Sequence, residues 1–235
     1  MKEDKMMKDL NILYEDSHII VCVKPAGVPV QTKKLGTRDM ENILKNHLAH
    51  NPENRNNRSI RSPYLAVIHR LDQPVSGILV FAKTPAAAKA LNRQLQKNDF
   101  TKEYQAVVSG HPKHSEGTLT DYLLKDGRTN TSRVCRENTP DAKYAELSYR
   151  VSRTVDFPPL SVLNIRLKTG RHHQIRVQMA NAGTPLWGDN KYNPEFTSGR
   201  GYHPIALCAN HLCFHHPDTH REMEFCIPCD WSHIF

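Results

Sequence analysis

The stretch Val67-Ile-His-Arg-Leu-Asp-Gln-Pro-Val-Ser-Gly-Ile-Leu-Val-Phe-Ala-Lys83 places a charged turn between two apolar runs. The runs at 65–68 and 78–82 are typical of short buried strands. His69, Arg70 and Asp72 lie between them, and rigid elements on both sides of a charged loop are a common way to present an active site. The same residues are also compatible with a plain capped turn, in which Asp72 accepts hydrogen bonds from backbone amides.

Working outward from this turn, the sequence predicts more strands than helices. Apolar runs or alternating apolar positions predict strands within 11–24, at 104–108, 145–151 and 163–167, and a C-terminal hairpin of 206–214 and 222–227. Helices are predicted at 38–49, after the cap residue Thr84, and from Arg171 to Ala182 with Gly183 closing the end. Two polar stretches, 51–62 and 126–138, are predicted to be basic loops. This pattern favours an α+β fold with a largely antiparallel sheet.

The chain has 235 residues and a formal net charge of +8. This length predicts one large domain or two closely packed lobes, which we place at 11–235 after an N-terminal tail at 1–10. No apolar run is long enough to cross a membrane, and the charged N-terminus does not resemble a signal peptide, so we expect a cytoplasmic protein. The positive charge suits a nucleic-acid partner.

The six cysteines raise the alternative of a zinc site. Four of them, Cys208, Cys213, Cys226 and Cys229, lie near histidines toward the C-terminus. Only the last two have ligand-like spacing, and a straight strand at 206–214 would point the first two to opposite faces. We therefore expect free thiols and no metal.

A second polar stretch runs from Leu167 to Met179 and reads Leu-Lys-Thr-Gly-Arg-His-His-Gln-Ile-Arg-Val-Gln-Met. On a helix, Arg176 would lie one turn from His172 and His173, so the three side chains would share a face. Such a face at a helix start suits phosphate binding, and it equally suits a solvated surface.

Taken together, five motifs in this order resemble the RluA family of pseudouridine synthases, from residue 11 to about 227. They are Lys24-Pro-Ala-Gly27, His69-Arg-Leu-Asp72 with Ser76-Gly77, Lys102-Glu-Tyr104, Thr169-Gly-Arg-His-His-Gln-Ile-Arg176 and Gly188-Asp-Asn-Lys-Tyr192. The resemblance implies an α+β catalytic domain with a mixed sheet in two lobes, flanking helices and a central active-site cleft. It implies an enzyme that isomerises uridine in tRNA or rRNA to pseudouridine after base flipping, without a cofactor.

The resemblance also assigns roles to individual residues. Asp72 would be the catalytic aspartate, Tyr104 would stack on the uracil, and Arg176 would pair with Asp72. Arg70 would help to occupy the space of the displaced nucleotide, and His69 and Arg171 are further candidates for substrate binding. The arginines of the two predicted loops are candidates for contacts with RNA phosphates; they are Arg55, Arg58, Arg61, Arg128, Arg133 and Arg136.

These residue types suit the chemistry that the resemblance implies. The bond between C1′ and N1 must break and a bond between C1′ and C5 must form. A carboxylate at Asp72 could serve as a nucleophile or as the electrostatic partner of a cationic sugar, and the sequence leaves both routes open. An aromatic ring at Tyr104 offers a stacking surface for a base that has left its helix.

The sequence departs from the family pattern at a few positions. Val75 stands where a threonine is usual, His172 replaces a small hydroxyl residue, and Gln178 stands where histidine is common. We expect activity to survive these changes and substrate preference to respond to them. The chain has no room before the catalytic domain for the small RNA-binding domain of larger relatives, so we expect a stand-alone monomer. Two alternatives remain, a non-catalytic RNA-binding protein on the same fold and a zinc-dependent nucleic-acid-binding protein.

Overall fold

The computed structural model describes residues 10–34, 36–50, 62–97, 99–197, 203–232 and 234–235. Of the predicted features, residues 1–9 of the N-terminal tail and Arg55, Arg58 and Arg61 of the first basic loop lie outside these residues. No described helix is long and apolar enough to cross a membrane.

The described residues form strands and helices in the following chain order: β1 (Ile12–Glu15), β2 (Ile19–Lys24), α1 (Met40–His50), β3 (Ala66–Val67), β4 (Ser76–Ala82), α2 (Pro85–Lys97), β5 (Thr101–Ser109), β6 (Glu116–Asp126), β7 (Thr131–Cys135), β8 (Lys143–Val155), β9 (Leu160–Leu167), α3 (Gln174–Asn181), α4 (Pro194–Thr197), β10 (Leu207–His215) and β11 (Glu222–Cys226). The chain divides into two compact units. The first comprises Met1–Phe100 and His211–Ile227, and the second comprises Thr101–Asn210 and Pro228–Phe235.

In the first unit, β2 is the middle strand of an antiparallel group. It pairs with β1 on one side and with β4 on the other, and the short β3 also pairs with β4. The β10–β11 hairpin is present as predicted. The strand predicted at 65–68 is shorter than expected, because only Ala66 and Val67 pair with β4 before the chain enters the charged turn.

Apolar side chains of β2, β4 and α2 form the core of the first unit. Ile19, Val80, Leu91 and Phe214 belong to this core and are fully buried. Helix α2 begins as predicted, because the hydroxyl of Thr84 accepts a hydrogen bond from the backbone N–H of Ala87 at 3.1 Å. The two apolar strands on either side of the charged turn therefore belong to one tightly packed body.

In the second unit, the strands follow the order β5, β9, β8, β6 and β7, and each neighbouring pair is antiparallel. The α+β class with largely antiparallel strands is thereby confirmed. The second predicted basic loop is wrong in part: 131–135 form β7, which pairs with β6 in a hairpin. A polar sequence is compatible with this strand, because Arg133 is exposed on the hairpin and only the small side chain of Ser132 beside it is buried. Polarity alone therefore suggested a loop where a strand is formed.

Helix α3 starts later than the sequence predicted. It begins at Gln174 rather than at Arg171, because His173 adopts a left-handed conformation with a φ of 54° that a helix cannot continue. His172 and His173 therefore precede the helix and do not share a helical face with Arg176. The end of the helix is as predicted, since Gly183 has a φ of 84° and donates its N–H to the carbonyl of Ala180 at 3.1 Å.

Candidate active site

In the first unit, the turn that contains Asp72 is fixed by hydrogen bonds of Asp72 itself and of the next residue, Gln73. The Asp72 carbonyl accepts the N–H of Val75 at 3.0 Å. Gln73 exchanges two hydrogen bonds with Gly27: its carbonyl accepts the Gly27 N–H at 2.9 Å, and its side-chain amide donates to the Gly27 carbonyl at 3.0 Å. The Asp72 side chain is half-buried, so its carboxylate sits on a rigid turn and remains accessible in part.

The last residue of β2, Lys24, is a fully buried cation behind this turn. Its ammonium donates three hydrogen bonds, to the carbonyls of Pro25 at 3.0 Å, Val28 at 2.7 Å and Gln73 at 3.0 Å. Burial lowers the pKa of Lys24 to about 8, and the negative charge of Asp72 opposes that shift. Lys24 therefore joins the loop after β2 to the Asp72 turn and places a positive charge near its carboxylate.

The two residues at the start of the turn have different surroundings. The ring of His69 lies edge-on to Phe100 with 6.2 Å between centroids, and its Nε2 is 3.3 Å from the backbone nitrogen of Val80 in β4. Arg70 is exposed. The first unit thus brings His69, Arg70 and Asp72 into one turn, as predicted, with His69 held by the protein interior.

In the second unit, Arg176 in the first turn of α3 is buried in a two-pronged ion pair with Asp189. Its Nε donates to one carboxylate oxygen at 2.8 Å and its terminal nitrogen donates to the other at 2.6 Å. The exposed fraction of each side chain is 3% or less. The fork of the guanidinium matches the carboxylate, so the orientation of Arg176 is tightly determined.

The chain around Asp189 is built to hold this carboxylate in the interior. Asp189 also accepts the backbone N–H groups of Lys191 at 2.9 Å and Tyr192 at 3.3 Å. The preceding Gly188 has a φ of 75°, and a Cβ at this position would lie 2.3 Å from the carbonyl oxygen of Pro204. Only glycine fits such a close approach, which explains the Gly-Asp pair in the fifth motif.

A cluster of rings lies next to this ion pair. The guanidinium of Arg176 lies 5.2 Å from the ring centroid of Tyr192, whose hydroxyl is 2.7 Å from Nδ1 of His173. The rings of His172 and His173 stack with 3.8 Å between centroids. Burial and then the charge of Arg176 lower the pKa of His173 to about 2, so this histidine is neutral at physiological pH.

The other two predicted residues of the second unit lie on different elements. Tyr104 is on β5 opposite Ile165 of β9, and 7% of the tyrosine is exposed. Arg171 is exposed before α3, and its Nε donates to the carbonyl of Tyr144 at 2.7 Å. The stacking role of Tyr104, the substrate contact of Arg171 and the pairing of Arg176 with Asp72 stay predictions.

Lys24 and Asp189 belong to the quoted motifs, and the motifs alone predicted no role for either residue. A signal for Lys24 was present, because a lysine at the end of an apolar strand and directly before a proline turn is poorly placed to reach solvent. Asp189 carries no such local signal, since its partner is 13 residues away and the pair forms only in the folded unit.

None of the six cysteines, all of which lie in the described part of the chain, forms a disulfide. Among the described residues, no group of three or more His, Cys, Asp or Glu side chains is arranged to hold a metal ion. The expected absence of a metal cofactor stays a prediction.

Comparison with known proteins gives a consistent answer. The model of the family described as RNA pseudouridylate synthase matches residues 18–181. The chain belongs to this family. It is an RNA pseudouridine synthase, an isomerase that converts uridine in RNA to pseudouridine.

Relatives of this pseudouridine synthase align along nearly all of its chain. It is 36% identical to ribosomal large subunit pseudouridine synthase D of Vibrio cholerae, over 93% of this chain and 67% of that protein. It is 33% identical to ribosomal large subunit pseudouridine synthase C of Escherichia coli, over 93% of this chain and 66% of that protein.

The fold is also that of solved structures. The structure of human RNA pseudouridylate synthase domain containing 1 superposes with a TM-score of 0.75 at 23% identity, and the match covers 95% of this chain and 84% of that one. Human RNA pseudouridylate synthase domain containing 4 gives a TM-score of 0.76 at 20% identity, covering 98% and 94%.

Proposed function

We propose that this pseudouridine synthase modifies uridine in structured RNA, ribosomal RNA in the first place and transfer RNA as the alternative, and that Asp72 is its catalytic residue. The observation that carries the proposal is the Asp72 turn, where a partly accessible carboxylate projects from a backbone that is fixed by hydrogen bonds of the Asp72 and Gln73 carbonyls. Preorganised charge of this kind stabilises a transition state because little reorganisation is needed during the reaction. The names of the relatives from Vibrio cholerae and Escherichia coli support ribosomal RNA as the substrate.

In the proposed reaction, the target uridine leaves its stack and presents C1′ to the carboxylate of Asp72. The bond between C1′ and N1 breaks, and the electron pair stays with the uracil. The carboxylate either bonds to C1′ or stabilises its positive charge, and both routes stay open. The detached uracil turns, C5 bonds to C1′, C5 loses its proton, and N1 gains one, so the product is an isomer of the substrate.

The other predicted residues have supporting roles in this proposal. Tyr104 provides the ring on which the uracil stacks, and Arg70 occupies space left by the flipped nucleotide. Arg176, whose orientation is fixed by Asp189, pairs with the Asp72 carboxylate in this proposal. Arg171 contacts the RNA, and His69 aligns the turn from behind, because its ring is engaged with Phe100 and Val80. We further propose that the enzyme acts as a monomer in the cytoplasm, where bacterial ribosomes and transfer RNAs are modified.

The test combines a cellular map with purified protein. Pseudouridines are mapped across all RNAs of the host with and without this gene, and the deletion is rescued by wild type, by Asp72→Asn or by Asp99→Asn. Asp99 is an exposed carboxylate of the same unit, so its variant is a matched control. We expect one or a few uridines in ribosomal RNA to lose modification and to regain it with wild type and Asp99→Asn only.

With purified enzyme, we expect Asp72→Asn to lower kcat by about 1,000-fold or more while RNA affinity stays within about 2-fold, because the carboxylate acts in the transition state. Turnover of Asp72→Asn near the wild-type rate would show that Asp72 is not catalytic. If deletion of the gene removes pseudouridine only from transfer RNA, transfer RNA is the substrate and ribosomal RNA is not.

A further inference from the structure

A polar pocket of about 360 Å³ lies in the first unit beside the Asp72 turn. This volume lies within the usual range for small-ligand pockets and is large enough for one phosphate with its sugar. Six of its lining residues matter for what it can bind, and they are Thr32, Lys34, Thr37, Arg70, Leu71 and Gln73.

The lining of this pocket is positively charged. Lys34 and Arg70 contribute two cations, and the described lining residues include no Asp or Glu. The nearby carboxylate of Asp39 is buried and accepts the backbone N–H of Thr32 at 2.8 Å and of Asn42 at 2.9 Å. Its charge is therefore engaged with backbone amides. The carboxylate of Glu41 accepts a hydrogen bond from the lining residue Gln31 at 2.6 Å and pairs with Lys45, so the lining residues themselves present cations, hydroxyls and amides to an anion.

One wall of the pocket is fixed to the start of α1. The Met40 N–H donates to the carbonyl of Pro29 at 3.0 Å, and the Glu41 N–H donates to the carbonyl of Val30 at 3.2 Å. Asp39 adds its hydrogen bond to Thr32 in the same wall. The opposite wall is the Asp72 turn, itself held by Lys24 and Gly27. Both walls are preformed, so an occupant would be bound without ordering either of them.

The position of the pocket separates it from the Asp72 carboxylate, at which the target uridine would react. Leu71 and Gln73 line it, whereas Asp72 between them is not among its described lining residues. A nucleotide in the pocket would therefore lie next to the turn but not against the Asp72 carboxylate. This relation fits a phosphate of the RNA backbone that neighbours the flipped uridine.

We propose that this pocket binds a backbone phosphate of the substrate RNA adjacent to the target uridine, with Lys34 as its specific cation. The inference rests on the proposed function and adds to it a site that fixes the RNA strand relative to Asp72. Since a single phosphate contact contributes about 0.7 to 0.9 to the salt slope of RNA binding, the loss of Lys34 has a measurable signature.

The test compares Lys34→Ala with Lys33→Ala, because both lysines are exposed neighbours but only Lys34 lines the pocket. For Lys34→Ala we expect KM to rise about 10-fold with kcat within about 2-fold, and the slope of log kcat/KM against log salt to decrease by about 1. For Lys33→Ala we expect KM within about 2-fold of wild type and an unchanged slope. Lys34→Arg keeps the charge and should keep the slope.

Equal KM values and equal salt slopes for Lys34→Ala and Lys33→Ala would overturn the pocket proposal. If wild type forms no pseudouridine in the RNA tested, the proposed substrate is wrong. The same variants are then compared by equilibrium binding to a transcript of large-subunit ribosomal RNA. A smaller salt slope of RNA affinity in Lys34→Ala but not in Lys33→Ala supports the phosphate site. Equal slopes in the two variants refute the site, and this result does not depend on turnover.

Discussion

Each unit of this pseudouridine synthase contains one buried cation at its proposed site, and the two charges are stabilised differently. Lys24 in the first unit donates to three neutral carbonyls, so its charge is solvated but not cancelled. Arg176 in the second unit forms a two-pronged pair with a buried carboxylate, Asp189. Neutral carbonyl groups hold a buried cation in place and leave its positive charge able to act on a neighbouring group. A carboxylate partner cancels most of the positive charge of the cation that it binds.

This difference suggests distinct tasks for the two cations. The uncancelled charge of Lys24 acts on Asp72, and the reciprocal effect of Asp72 is visible in the pKa of Lys24. Arg176 is instead fixed in orientation by Asp189 and by the ring of Tyr192. We therefore expect Lys24 variants to alter the pH dependence of turnover, and Arg176 variants to alter stability most.

The largest expected effect is the loss of one partner of the buried ion pair. Arg176→Met leaves the Asp189 carboxylate buried without its main partner, so we expect the free energy of unfolding to fall by about 3–5 kcal/mol. Arg176→Met combined with Asp189→Asn removes the stranded charge and keeps an oxygen for the two backbone amides. We expect this double variant to recover at least half of the loss, as measured by urea unfolding.

Arg166→Met is the matched control for this cycle, because Arg166 is an exposed arginine of the same unit. It should change the free energy of unfolding by less than about 0.5 kcal/mol. If the double variant is no more stable than Arg176→Met, the stranded Asp189 carboxylate does not cause the loss of stability. Arg176 would then not be stabilised mainly by Asp189.

A smaller effect is expected for Lys24. Lys24→Met removes the donor to three carbonyls, which should cost about 2–3 kcal/mol of stability. The pKa of Lys24 is lowered from 10.5 to about 8, so wild type loses this charge as pH rises through 8. We expect wild-type kcat to decline above that pH, since the positive charge beside Asp72 disappears, and we expect the variant to lack this step.

Lys83→Met serves as the control for the pH profile. Lys83 is a half-buried lysine of the same unit that binds Glu15 and the carbonyl of Asp16. Its variant should retain the decline of kcat above pH 8. A Lys24→Met enzyme that still shows this decline would mean that another group titrates there.

The smallest expected effect concerns His173. Its pKa is about 2 in the folded protein and about 6.5 in an unfolded chain, so below pH 6.5 only the unfolded chain binds this proton. Stability from this group is complete above pH 6.5 and is lost as pH falls, by at most about 1.4 kcal/mol per pH unit. His173→Gln should show a correspondingly shallower loss between pH 6.5 and 5 in urea unfolding.

His111→Gln is the control for this measurement, because His111 is an exposed histidine of the second unit. We expect the free energy of unfolding of His111→Gln to depend on pH in the same way as that of wild type. An unchanged slope in His173→Gln would mean that His173 accepts a proton in the folded protein.

Sequence patterns were sufficient where local chemistry decides the structure. The apolar runs around the 69–77 turn and the Thr84 cap were correctly placed, because strand alternation and capping depend on neighbours in the chain. They were insufficient at 126–138, where exposed basic residues on one face of a hairpin were interpreted as a loop. They also failed at His173, since a left-handed residue before α3 is stabilised by contacts with Tyr192, 19 residues away.

The sequence by itself determined the family, the α+β class and the turn that carries Asp72, because every single motif, strand pattern or helix pattern behind them is formed by residues close together in the chain. Only the tertiary structure decided how the buried ionisable groups are stabilised. It buried Lys24 among three carbonyls, joined Arg176 to Asp189 and surrounded His173 so that it stays neutral. The physical reason is that desolvation and ion pairing depend on which distant residues enclose a group, and that is defined only once the chain has folded.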